Sequence, residues 1–356
     1  MAVDAGRLTD FATAILAHAG KDAGRAAKVA ARLVGANLAG HDSHGVGMIP
    51  AYVDGMLAGQ LDAAADIELV QDKGPFLLVD GNRGFGHIVA EQAMTLAIDR
   101  AQTHHFAMLS LRNSFHLGRL GDWGIMAAEA GFICILYANV QSARPLVAPF
   151  GGSDARFVTN PYCTAIPATE KHPMFVLDMA TSTIAMGKAR VAQLSGKPAP
   201  EGALIDAQGN ATRDPSVVFD GAGGALTAFG QHKGFGLALL GDILGGSFSG
   251  GGAYAPEREV PDRIVNNMMA ILIDPNVFGL AQSFGVDVDS YTDWVKASPA
   301  APGTAGVQFP GDPERRSTAE RSAKGIPLDA GTLAQLMAAA RKAGVPASEH
   351  LCSTSD

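Results

Sequence analysis

The chain has 356 residues, a formal net charge of −8, 47% apolar residues and only 17% charged ones. That balance excludes a disordered chain and argues against nucleic acid as a partner. No apolar run approaches the ~20 residues of a membrane span, so no membrane association is expected. Met1-Ala2-Val3-Asp4 lacks the basic and apolar segments of a secretory signal. Three cysteines, Cys134, Cys163 and Cys352, stand far apart. They suggest neither a disulfide framework nor a metal site, as fits a reducing cytoplasm. Forty-three glycines exceed the average usage of ~7% and imply many tight turns.

Apolar spacing predicts two helices across Leu8–Gly40, with Thr9 and Asp22 as N-caps. A short helix is expected at Ile49–Leu57 and a strand at Phe76–Val79 running into the turn Asp80-Gly81-Asn82. Ile88–Ala101 reads as a helix that buries Ile88, Ala93, Leu96 and Ala97. Strands follow at Phe106–Leu111 and Phe132–Tyr137, around a helix at Gly121–Ala130. Phe157–Ile166 and Phe175–Met179 read as further strands, and Thr183–Gln193 as a helix. Gly234–Leu244 is expected to be a buried helix that ends in a flexible glycine run, Gly245–Gly252. Met268–Ile273 is the last strand, Pro299–Pro313 a long loop, and Leu333–Ala343 a closing helix. A mixed α/β body with a helical N-terminal layer is the simplest architecture. Its expected divisions are a helical layer (1–70), a mixed α/β binding body (71–290) and C-terminal elements that pack back on the layer (291–356).

Five polar clusters interrupt this pattern. Gly40-His41-Asp42-Ser43-His44-Gly45 crowds two imidazoles, a carboxylate and a hydroxyl together. It suits either a polar helix end or acid–base chemistry near neutral pH. Arg112-Asn113-Ser114-Phe115-His116-Leu117-Gly118-Arg119 follows a strand and precedes a helix, a place that favours anions. Thr159-Asn160-Pro161 has restricted backbone geometry, because the residue before proline is held extended. Asp178-Met179-Ala180-Thr181-Ser182 carries a carboxylate at a strand end, with Thr181 or Ser182 as a helix cap. Gln231-His232-Lys233-Gly234 opens a helix and suits phosphate or ribose. G-x-G-x-x-G, Walker A, H-E-x-x-H and G-x-S-x-G motifs are all absent from the sequence.

In this order the clusters resemble the malate/L-lactate dehydrogenase family of the second type. The likeness runs from Leu8 to the C-terminal helix and includes Gly325-Ile326-Pro327-Leu328. The resemblance implies a non-Rossmann, sulfolactate-dehydrogenase-like α/β fold and an intertwined homodimer. It also implies interconversion of small 2-hydroxy and 2-oxo acids with NAD or NADP, and no metal. The family includes reductases of cyclic imino acids as well. By the same resemblance, His44 moves the proton, Ser43 and Asp178 form its relay, and His116 carries the catalytic role in some members. Cofactor contacts then map to His44, Gly118, Arg119, Leu120, Val176, Leu177, Asp178, Met179, Ala180, His232 and Asn266. Gly311, Asp312, Pro313 and Glu314 complete the set. Thr159 and Asn160 join the substrate site.

Met48 departs from the pattern, because many members carry there an arginine that clamps the substrate carboxylate. Arg112, Arg119 and Arg190 are the candidate replacements, and the sequence does not rank them. Ser43, His44 and Asp178 also admit a different class, a nucleophilic hydrolase.

Overall fold

The computed structural model describes residues 1–141, 144–194, 196–219, 221–255 and 263–345. Cys352 lies outside them. The chain opens with α1 (Ala5–Gly20), α2 (Ala23–Leu38) and α3 (Ile49–Leu57). Asp4 and Asp22 cap the first two by accepting the backbone N–H of Arg7 and Arg25. Thr9 is therefore not a cap. It lies inside α1, where its hydroxyl donates to the Ala5 carbonyl at 2.8 Å. Asp4, one turn earlier, offers the stronger acceptor at the positive helix end.

A seven-stranded sheet forms the body: β1 (Glu68–Lys73), β2 (Phe76–Asp80), β3 (Phe106–Ser114), β4 (Ile133–Gln141), β5 (Tyr162–Ile166), β6 (Phe175–Met179) and β7 (Val265–Ile273). Its order is β1-β2-β3-β7-β4-β5-β6. Only β2 and β3 pair in parallel, joined by α4 (Gly86–His104), so the sheet is mixed, as expected. The remaining helices are α5 (Gly121–Glu129), α6 (Met186–Leu194), α7 (His232–Leu240), α8 (Ala281–Lys296), α9 (Asp312–Lys324) and α10 (Ala330–Ala343).

Three apolar clusters hold these elements together. In the first, Leu8, Phe11 and Ile15 of α1 meet Leu33 of α2, Tyr52 and Val53 of α3, and Leu336 and Ala340 of α10. The second lies between the sheet and α4 and α5, around Met94, Leu109, Trp123 and Leu136. A third, smaller one gathers Val147, Phe157, Ile184, Leu204 and Ala238. Ala2–Val3 pairs with Ile326–Pro327 and ties the start of the chain to the segment before α10.

Several boundaries differ from those the sequence predicts. The ladder of β5 begins at Tyr162 rather than Phe157, because Pro161 brings no N–H to a strand. Phe157 pairs only with Val147 in an isolated bridge. Neither Thr181 nor Ser182 caps a helix, since α6 starts at Met186. The Thr181 hydroxyl instead donates to the Asn160 carbonyl at 2.9 Å, and that of Ser182 to the Ile184 carbonyl at 2.8 Å. The expected flexible run Gly245–Gly252 is packed: α7 continues into a π-helical turn at Gly241–Ser247 that lies against β4.

Buried amides secure that turn. The Asn139 side-chain amide donates to Gly252 O at 2.8 Å and to Asp242 Oδ1 at 3.2 Å. Its oxygen accepts from Asn267 Nδ2 at 2.8 Å, and Asn267 Oδ1 accepts the Asn113 N–H at 2.8 Å. A Cβ on Gly251 would stand 2.0 Å from Asn267 Oδ1, whereas one on Gly35, within α2, would meet nothing within 4 Å. Gly251→Ala is therefore expected to destabilise the protein by about 1–3 kcal/mol, as overpacking does. Gly35→Ala should stabilise it by about 0.5–1 kcal/mol through helix propensity. Paired thermal melts check both signs.

Candidate active site

Helix α2 ends at Leu38, and Gly40 takes the left-handed backbone (φ 88°) that turns the chain out of it. The next residues form a tight 3₁₀ turn, Asp42–His44. The buried side chain of Asn37 shapes this turn from beneath. Its amide donates to Asp42 Oδ1 at 2.7 Å, and its oxygen accepts the Val46 N–H at 2.9 Å. Arg321 of α9 then grips Asp42 with two nitrogens, at 2.6 and 3.1 Å.

On this turn the Ser43 hydroxyl lies 3.0 Å from His44 Nδ1. The His44 ring stacks on that of His116, with centroids 5.5 Å apart and planes at 21°. His116 follows β3, and the Tyr52 hydroxyl lies 2.7 Å from its Nδ1. His87 of α4 packs edge-on to both Tyr52 and His116. Three imidazoles and a phenol thus meet where the helical layer joins the end of the sheet.

Burial decides their protonation. Although part of the His44 surface meets solvent, desolvation holds its imidazole below the ordinary histidine range. The Asp178 carboxylate opposes this, while His41 and Arg119 add to it. Burial lowers His116 further, with repulsion from His44 and His87. His87 is pushed down to about 3 by burial, and its Nδ1 has no partner. Burial raises the Tyr52 phenol well above its ordinary value. All four groups are neutral at pH 7, the state in which they can stack closely.

Asp178, at the end of β6, lies close enough to act on His44 by charge but makes no hydrogen bond to it. Its Oδ2 accepts the Gly121 N–H at 2.9 Å and lies 3.4 Å from Arg119 Nε. Of the two groups expected to form the relay, Ser43 contacts the imidazole directly, whereas no hydrogen bond joins Asp178 to it among the described residues. The hydrolase arrangement is not assembled either, because no carboxylate bonds to His44 and the serine occupies Nδ1.

The three candidate arginines separate clearly. Arg112 donates from Nε to Asp80 Oδ2 at 2.9 Å, and Asp80 also accepts from the Asn113 amide. Arg119 is buried between Asp122 and Asp178, and its Nε is ion-paired with Asp178 without a hydrogen bond. Arg190 is exposed on α6 and pairs with nothing among the described residues. Asn160 is also committed to the fold, since its amide donates to Ala238 O at 3.0 Å and its oxygen accepts the Val140 N–H. Thr159 beside it is half-buried, and its carbonyl accepts the Thr181 N–H at 3.0 Å.

Part of the segments expected to hold a cofactor borders the histidine turn. Glu314 lies 3.1 Å from His41 Nε2, and the Val176 N–H reaches Pro310 O, so the Gly311–Glu314 turn runs from β6 to the histidine turn. Gly118, at φ 73°, leaves room for His87: a Cβ there would stand 2.3 Å from its Nε2. The buried Nδ2 of Asn266 has no hydrogen-bond partner among the described residues, while its oxygen accepts the Leu117 N–H at 2.9 Å. His232, at the start of α7, is exposed and meets the Phe150 ring at 5.9 Å. Beyond the Gly311–Glu314 turn, Phe175, Phe309, Tyr291, Lys296 and Arg315 line a cavity of about 150 Å³.

Residues 3–337 match the family model of malate/L-lactate dehydrogenase. The chain belongs to this family and is an oxidoreductase. It is 42% identical to hydroxycarboxylate dehydrogenase B of Escherichia coli K12, over 96% of this chain and 94% of that one. It is 40% identical to an L-lactate dehydrogenase of Cupriavidus necator, over 83% and 84% of the two chains. Among solved structures it is similar to sulfolactate dehydrogenase from Methanocaldococcus jannaschii, with a TM-score of 0.85 and 30% identity over 98% of this chain and 99% of that one. The fold is therefore the one the resemblance implied, which accounts for the missing dinucleotide fingerprint.

Sequence reasoning missed Tyr52, His87 and Asn37. Tyr52 and His87 sit in apolar helices that read as core. Asn37 was the legible one, as an amide on the buried stripe of α2.

The neutral imidazoles set a pH dependence. The unfolded chain protonates histidine near pH 6.5, whereas folded His87 stays neutral to about pH 3. Between these values the unfolded state binds more protons, so stability falls as pH drops. His87 alone should cost about 2 kcal/mol at pH 5 relative to pH 8. Melts of wild type and His87→Met across that range should show a flatter slope in the variant. Equal slopes would mean that His87 titrates in the folded protein.

Proposed function

We propose that the chain is a 2-hydroxyacid dehydrogenase dependent on NAD or NADP, with His44 as the group that moves the substrate proton. The single observation that carries this reading is His44 itself. It is a neutral, partly accessible imidazole that Ser43 holds at Nδ1 and His116 stacks from one side. When Nδ1 donates its proton to the Ser43 hydroxyl, Nε2 keeps a lone pair that can take the proton of a substrate hydroxyl, and the imidazolium so formed returns it to a carbonyl oxygen in the reverse direction.

The surroundings suit a nicotinamide dinucleotide. The buried side-chain nitrogen of Asn266 has no hydrogen-bond partner among the described residues, a polar group to spare beside the Leu117 backbone. Gly118–Leu120, Val176–Ala180, His232, Asn266 and Gly311–Glu314 would hold the cofactor. When bound, it supplies the hydride exchanged with C2 of the substrate.

The protein's own part is positional and electrostatic. Asp178 stabilises positive charge on His44 without taking its proton. Tyr52 fixes the ring of His116, which presents a flat neutral wall. His41, bonded to Glu314, links the histidine turn to α9. Leu239, Leu240, Ile243 and Phe248 are exposed apolar side chains on α7 and its π-helical continuation. A second copy of the chain covering them gives a homodimer, and sedimentation equilibrium measures that directly.

Wild-type protein incubated with NADH or NADPH and a panel of 2-oxo acids should oxidise the cofactor, followed at its near-ultraviolet absorbance. Activity confined to cyclic imino acids would assign the other reaction of this fold. His44→Ala should lower kcat by roughly 10²–10⁴-fold, the ordinary cost of losing a general acid–base group. Retention of more than about a tenth of kcat would move the role to His116. Asp178→Asn, which keeps the Gly121 contact but removes the charge, should lower the pKa seen in the pH–rate profile. An unchanged profile would make Asp178 a purely structural acceptor.

A further inference from the structure

A substrate with a carboxylate needs a cation beside His44, and most cations near this site are already paired. Arg112 is held by Asp80, and Arg119 lies between Asp122 and Asp178. Arg321 grips Asp42, and His41 bonds Glu314. Those four acids beside the turn (Asp42, Asp122, Asp178 and Glu314) make the pocket inhospitable to an anion unless an unpaired cation also reaches it.

Helix α6 brings one. Its first turn abuts the histidine turn, for a Cβ on Gly187 would stand 3.4 Å from Ser43 Cβ, in ordinary contact. Arg190 follows three residues later, about 4.5 Å along the axis and on the same side of the helix. Its side chain is exposed and makes no hydrogen bond or ion pair among the described residues. Lys188, also exposed, is turned about 100° round the helix from Gly187.

We propose that Arg190 is the substrate-positioning cation of this enzyme, taking the carboxylate of a 2-oxo monocarboxylate whose carbonyl lies at His44. The inference rests on the dehydrogenase reading and adds the residue and the substrate class to it. A planar guanidinium suits the task, since it grips a carboxylate with two parallel N–H donors. One unpaired arginine on the helix that abuts the histidine turn matches one carboxylate. A second carboxylate on the substrate meets Asp178 and Glu314 without a partner, so monocarboxylates are favoured over dicarboxylates.

The test compares each 2-oxo acid with its neutral methyl ester in wild type, Arg190→Gln, Arg190→Lys and Lys188→Gln. Wild type should use the acid at least tenfold better than the ester, by kcat/KM. Arg190→Gln should lower kcat/KM for the acid roughly ten- to a hundredfold, chiefly through KM. It should leave the ester and the dissociation constant of the cofactor unchanged. Arg190→Lys should recover part of the loss, and Lys188→Gln should resemble wild type. An equal loss on acid and ester would make Arg190 merely structural and overturn the proposal. So would an Arg190→Gln enzyme indistinguishable from wild type, or the loss appearing with Lys188→Gln instead. A wild type that turns over no 2-oxo acid with either cofactor would overturn the dehydrogenase reading and this proposal together.

Discussion

The side chain of Asn37 is the joint on which the site depends. It lies buried in α2, yet its two ends reach out of the helix to opposite sides of the histidine turn, at Asp42 and at Val46. A buried amide must satisfy both its donor and its acceptor, so the turn has one conformation that leaves neither unpaired. Gly45 is required by the same contact, because a Cβ there would stand 2.2 Å from the Asn37 oxygen. Arg321 closes the arrangement from α9 by bonding both the Asn37 carbonyl and Asp42. Helices near the two ends of the described chain thus converge on four residues and orient Ser43 and His44.

That anchoring explains how an imidazole cluster survives in an apolar setting. Histidines charged at this density would repel one another, and the repulsion would add to the desolvation penalty. Held neutral by burial, the rings of His44, His116 and His87 pack with Tyr52 as aromatic surfaces. The carboxylate whose charge acts on His44 is offset rather than bonded. Asp178 bonds to a backbone amide and faces Arg119, so its charge is present but its oxygen is not available to lock the proton on His44. A base tuned below the usual histidine range and able to gain a proton near a carboxylate is poised for transfer in either direction.

Much of this was legible in the sequence, and what was not has physical reasons. Helical and alternating periodicity located α1 to α7, α10 and six of the seven strands, because each buries part of its surface. β1 gave no such signal, since all its residues are exposed. The same holds for α9, which buries nothing and carries in its first turn Pro313, a residue that also reads as the end of a loop. α8 buries only Asp289 and Thr292, so its inward face is polar and shows no apolar stripe. At the site, the clustered polar residues betrayed themselves by interrupting apolar runs. What they bonded to was beyond reach. Arg112 and Asn160 are chemically fit to bind substrate, and only the fold shows that Asp80 and the Ala238 carbonyl already hold them.

The same polar framework accounts for backbone strain at the end of the sheet. Asn82, Arg83 and Asn113 all adopt positive φ, which a side chain pays for sterically. Asn113 sits where β3 must turn so that His116 comes beneath His44. Its N–H is fixed by Asn267 and its side-chain amide by Asp80, and Asp80 also accepts the Asn82 N–H. Three charge-assisted or buried hydrogen bonds therefore hold a conformation that an isolated strand end would abandon. The network that packs the glycine turn beside β4 is continuous with this one through Asn267 and Asn139. The position of His116 is consequently set from two directions, by strain held in the β3 end and by the Tyr52 hydroxyl from the helical layer. An imidazole fixed in that way keeps its plane against His44, so the stack is a property of the fold.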